Sequence, residues 1–185
     1  MVIRSLKSGS FSRSTQVGNS IILPGDYESI ATVTVGSGGS SSISFSSIPS
    51  TYKHLQIRCY AKETGGYSNN GLRLNGITTG FFQHRLEGDG SSASSWGIGN
   101  DSNIALPIMG AQWGSMIIDI SDYTNTSKNK TVRMLGGVDN NGSGYVGLLS
   151  GSVADTSATT SVTLYSRATA WAQYSSFALY GIKGV

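Results

Sequence analysis

Apolar residues in this chain recur at every second position, in short runs that stop at Gly, Ser, Asn or Pro. A period of two puts alternate side chains on opposite faces of an extended strand, whereas a helix needs a period of 3.6. Ala31, Val33 and Val35 alternate with Thr32 and Thr34 before Gly36-Ser37-Gly38-Gly39 turns the chain. Ile43 and Phe45 then resume an apolar face, which predicts a hairpin. Leu55, Ile57 and Cys59 alternate with His54, Gln56, Arg58 and Tyr60, a half-buried strand with its cysteine inward and His54 outward. Asn75-Gly76 is a two-residue hairpin signal and predicts that residues 72–74 pair with the strand around Ile77 and Phe81-Phe82. Residues 88–100 read as a loop. Further strands are expected near 104–109, 115–120, 132–138, 145–150, 161–165 and 175–182, with Asp139-Asn140-Asn141-Gly142 turning another hairpin.

About ten short strands separated by turns predict an antiparallel β-sandwich or barrel. The expected architecture is all-β and jelly-roll-like, with an immunoglobulin-like sandwich second. Residues 27–185 form the sandwich domain, and residues 1–26 an extended docking arm ending at Pro24-Gly25-Asp26. Only 12% of residues are charged, about half the usual share, so charge repulsion does not drive disorder. No apolar run is long enough to span a membrane as a helix, and the N-terminus lacks the apolar stretch of a secretory signal. A single cysteine excludes an intramolecular disulfide framework. Neither a tandem repeat nor heptads are present, which argues against a solenoid or a coiled-coil shaft.

The net charge of +3 has an address. Arg4, Lys7 and Arg13 precede the first acid, Asp26, and the remaining basic residues balance the acidic ones. Such an arm suits an acidic surface on a neighbouring chain, with Ile3, Leu6 and Phe11 as apolar anchors. Three cations among serines are too few for nucleic acid, which calls for a basic stripe on a folded domain. Nucleic acid and membrane are therefore not expected partners.

Residues able to carry chemistry are sparse. His54, His84 and Cys59 share no metal-ligand spacing, so neither metal nor cofactor is expected. No G-x-S-x-G elbow occurs, and Gly142-Ser143-Gly144 falls in a hairpin turn instead. The acid pairs Glu87 with Asp89 and Asp119 with Asp122 read as solvated carboxylates and turn makers. The 139–143 turn offers oxygens but lacks the bidentate Glu of an EF-hand loop. No catalytic residue is assigned, and the chain reads as no enzyme. Aromatics are the remaining recognition chemistry. Trp96, Trp113 and Trp171 fall near Gly/Ser-rich or loop-edge segments. Trp96 and Trp171 are the candidates for stacking on a glycan or for an interface, and core burial is the ordinary alternative for each.

Three stretches carry a resemblance: TVTVGSGGSSSISFSSIPSTYKHLQIR (32–58), DISDYTNTSKNKTVRMLGGVDNNGSG (119–144) and AQYSSFALYGIK (172–183). Together they resemble small virion structural proteins of tailed phages, particularly those of marine bacteria. The resemblance implies localisation in the virion and a non-enzymatic structural role. Its partners would be other virion proteins (a major capsid or tail protein), together with copies of itself, a homo-oligomer such as a trimer. Two roles fit: a capsid decoration or cement protein docking through its arm, or a receptor- or carbohydrate-binding module of the tail or a fibre. The first 26 residues lie outside the resemblance.

Overall fold

Each stretch with the two-residue period is a strand in a computed structural model of the protein, which describes residues 15–17, 20–22, 25–66, 70–167 and 169–184. The strands are β1 (Thr15–Val17), β2 (Ser20–Ile22), β3 (Tyr27–Thr34), β4 (Ser42–Phe45), β5 (His54–Ala61), β6 (Gly71–Leu74) and β7 (Phe81–Gly88). They continue as β8 (Ala93–Asp101), β9 (Ile104–Ala105), β10 (Gly114–Ser121), β11 (Lys130–Asp139), β12 (Gly144–Val153), β13 (Val162–Tyr165) and β14 (Ser176–Ile182). No helix occurs among the described residues.

An eight-stranded antiparallel sheet runs β3-β14-β5-β10-β11-β12-β7-β8, and a four-stranded one runs β4-β13-β6-β9. β1 and β2 pair only with each other. Alternation sends Leu55, Ile57 and Cys59 of β5 and Met116, Ile118 and Ile120 of β10 into one core. There they meet Ile43, Phe45, Leu72, Leu74, Val162 and Leu164 from the smaller sheet. Burying each such side chain stabilises by about 1.5–3 kcal/mol relative to leaving it exposed. β14 lies between β3 and β5 and adds Phe177 and Leu179 to the same core.

Several expected pairings differ. β3 and β4 lie in different sheets, so the expected hairpin between them does not form. Asn75 and Gly76 do make a tight turn, with φ of 52° and 69°, but it carries the chain from β6 in one sheet to β7 in the other. The Asn75 side chain donates to Ala158 O at 2.9 Å and accepts from Thr160 N at 2.8 Å, which ties the turn to the segment before β13. The expected loop at 88–100 is mostly β8, an edge strand exposed on both faces. The strand expected at 104–109 is only the two residues of β9, and Pro107, which lacks an N–H, follows after Leu106. The 139–142 hairpin forms as expected: β11 pairs with β12 in register from Asp139↔Gly144 to Lys130↔Val153.

Candidate functional site

The outer face of the eight-stranded sheet carries a groove of about 800 Å³ where β5, β10, β11 and β12 meet. Its floor follows from register. Ser115 of β10 lies opposite Gly137 of β11, and Gly137 lies opposite Val146 of β12. Gly137 leaves the middle of that row without a side chain, and a Cβ there would lie 2.5 Å from the Tyr145 carbonyl oxygen. One wall is aromatic. Tyr60 points outward from β5 and stacks on Trp113 with ring centroids 5.0 Å apart and planes within 9°. The Lys62 ammonium lies 5.2 Å from the Trp113 centroid, within the range of a cation–π contact.

The opposite wall is polar. It comprises Tyr145, Val146, the Gly88-Asp89-Gly90 turn and the end of the β11–β12 hairpin. Asp89 accepts the backbone N–H groups of Ser92 at 2.7 Å and Ser91 at 2.8 Å, which hold its carboxyl below the usual carboxylate range. Asp139 accepts the Asn141 N–H through Oδ1 at 3.1 Å. Partial burial, and then a hydrogen bond to Glu87, push the Tyr145 phenol up to about 12. Glu87 itself pairs with Arg85, whose guanidinium lies 5.5 Å from the Tyr145 ring centroid and 5.7 Å from that of Trp96. Along the groove's side runs an apolar row in register: Ile117, Leu135, Leu148 and Leu86, on four neighbouring strands. All four are exposed.

The two tryptophans singled out from the sequence are elsewhere. Trp171 is fully buried (0% exposed) and meets Phe177 edge to face at 5.2 Å, so it is a core residue and offers no surface to a glycan. Trp96 sits on β8 rather than in a loop, half-buried against Arg85. Ile3, Arg4, Leu6, Lys7, Phe11 and Arg13 lie outside the described residues. Cys59 is buried, which pushes its thiol up and away from the reactive thiolate. His54 accepts the Asp122 N–H through Nδ1 at 3.0 Å. No three His, Cys, Asp or Glu residues gather as a metal site among the described residues. Tyr60 and Trp113 were within reach of sequence reading only singly: parity puts Tyr60 outward, but their contact needs the pairing of β5 with β10. Compared with protein families, with curated proteins and with solved structures, the chain shows no match.

Proposed function

We propose that this chain is a non-enzymatic structural protein of a tailed-phage virion, a capsid decoration protein that works as one copy in an oligomer. The observation that carries this reading is the open edge of the large sheet. β8 has nine residues, contains neither Pro nor Lys, and among the described residues hydrogen-bonds only β7. Beside it, Leu86 and Leu148 are 56% and 47% exposed on neighbouring strands. A monomer normally blunts such an edge with charge, proline or a covering segment, because unpaired N–H and C=O groups recruit another strand. A second copy of the chain is the occupant that fits, since the nine residues of β8 carry a single charge, Asp101 at the strand's end. Pairing β8 with β8 gives a two-fold pair, whereas pairing β8 with the opposite edge, β3, gives a ring such as a trimer where the rotation per copy closes, and a filament where it does not.

Strand order adds support from analogy. Numbering β3, β4, β5, β6, β9, β10, β13 and β14 from one to eight, the sheets contain the orders 1-8-3-6 and 2-7-4-5. These orders support a jelly-roll-like reading, an architecture found in viral capsid and lectin domains. On this reading β7–β8 and β11–β12 are additions that widen one sheet. The arm of residues 1–26 would then dock the oligomer on an acidic surface of the major capsid or tail protein.

The test uses phage particles stripped of this protein. The full chain is expected to elute as an oligomer and to co-sediment with the particles. A chain lacking residues 1–25 should stay oligomeric and lose the particles. Leu86→Lys with Ser95→Lys, which face each other across β7 and β8, should give a folded monomer. A full chain that is monomeric and ignores the particles sinks the proposal.

A further inference from the structure

We infer that the groove beside the Tyr60–Trp113 stack binds a neutral oligosaccharide. This goes beyond the structural role just proposed and stands independently of it.

Sugars present two kinds of surface: flat C–H faces, which pack on aromatic rings, and hydroxyl edges, which need hydrogen-bond acceptors. The groove offers both, on opposite walls. Tyr60 is 56% exposed, and its ring is braced by the parallel ring of Trp113. Two ring torsions are thereby fixed before a ligand arrives, which lowers the ordering cost of binding. Across the bare floor at Gly137, the carboxylates of Asp89 and Asp139 line the other wall. Asp139 uses Oδ1 for the Asn141 N–H, and its second oxygen can accept a hydroxyl. Two carboxylates on one wall favour hydroxyl donors and repel acidic sugars.

Size agrees. A groove of about 800 Å³ falls inside the roughly 300–1,000 Å³ of small-molecule sites. In the two-fold β8–β8 pair, the second copy leaves the aromatic wall free. β5, which carries Tyr60, is five strand positions from β8, roughly 24 Å at a spacing of about 4.8 Å.

The experiment is a binding screen of the full chain against a printed panel of neutral and acidic oligosaccharides, followed by calorimetric titration of the best binder. Neutral members are expected to bind, with Tyr60→Ala and Trp113→Ala each weakening the best at least tenfold. Asp139→Asn, which keeps the Oδ1 acceptor, should weaken it less. Both aromatic variants should melt cooperatively and elute at the native mass. Tyr165→Phe, on β13 of the smaller sheet and away from the groove, should bind as the parent does. Four results overturn the inference: no neutral member binding at about 5 mM, a Kd short of even weak recognition; binding confined to acidic members; binding unchanged in Tyr60→Ala; or loss of the oligomer in Tyr60→Ala, which would make the groove a contact between copies.

Discussion

Lys130 is a fully buried cation (1% exposed) whose ammonium is held by backbone carbonyls. Its Nζ donates to Asn125 O, to Thr156 O at 3.0 Å and to Lys128 O at 3.2 Å. Three acceptors offset the desolvation that an unpaired charge could not survive. Parity alone places Lys130 inward, because Val132 and Met134 follow on the same face of β11, and two of the carbonyls lie within five residues of it, but the third, Thr156 O, comes from a segment that sequence spacing cannot bring there. The same limit hid the surroundings of Trp171, which lies in irregular chain where no period assigns a face. Asp122 shows a residue whose partners set its titration. Hydrogen bonds from Lys128 and then Lys53 hold its carboxyl down at about 2, and the Lys53 contact is 2.6 Å long. A depressed folded pKa gives stability that is complete above the unfolded value, about 4, and is lost as pH falls toward 2. Asp89 and Glu28 are shifted the same way, so the acid limb has several contributors. The expected outcome is that Asp122→Asn shows a shallower fall in urea midpoint between about pH 4 and pH 2 than the parent. An identical fall would remove the Lys53–Asp122–Lys128 cluster from the acid response.

At the scale of elements, the alternating pattern assigns faces but not partners. It gives the inward residues of β5 correctly, and it misjoins β3 to β4 because neighbours in sequence are not neighbours here. β8 escapes the pattern altogether: with both faces exposed, selection for apolar alternation is absent, and ASSWGIGND reads as loop. Turn chemistry is more legible than pairing. Asn141 and Gly142 have φ of 49° and 106° and close β11 onto β12, with Asn140 N donating to Ser143 O at 2.7 Å. A Cβ on Gly142 would meet no atom within 4 Å, so substitution there tests backbone conformation alone. Gly142→Ala is expected to destabilise by about 1–2 kcal/mol, read by chemical denaturation, with the β11–β12 pairing retained. A loss below a few tenths of a kcal/mol would mean that the turn relaxes into another type at little cost. Because this hairpin ends at the groove, the same variant should also perturb the position of Asp139.

At the scale of the whole molecule, the class of fold is legible and the closure of the sheet is not. Strand count and period establish an all-β chain, but nothing local indicates that β14 inserts between β3 and β5. That insertion makes the last strand indispensable. Phe177 and Leu179 are both fully buried, and β14 bonds to two neighbours at once: Phe177 lies opposite Val33 on one side and Cys59 on the other. Removing it would strand two rows of backbone hydrogen bonds and open the core beneath, costing several buried side chains at about 2–5 kcal/mol each. That sum matches or exceeds the roughly 5–15 kcal/mol that holds a typical domain together. The other terminus is different. β1 and β2 form their own two-stranded sheet, and among the described residues neither pairs with the larger ones. A chain ending at residue 173 is therefore expected to lose its cooperative thermal transition, while a chain beginning at residue 26 keeps one close to the parent's. Circular dichroism melts of the two truncations decide the matter. If the shortened N-terminus also abolished the transition, residues 1–25 would belong to the folding unit, and the arm could not be read as a separable docking device.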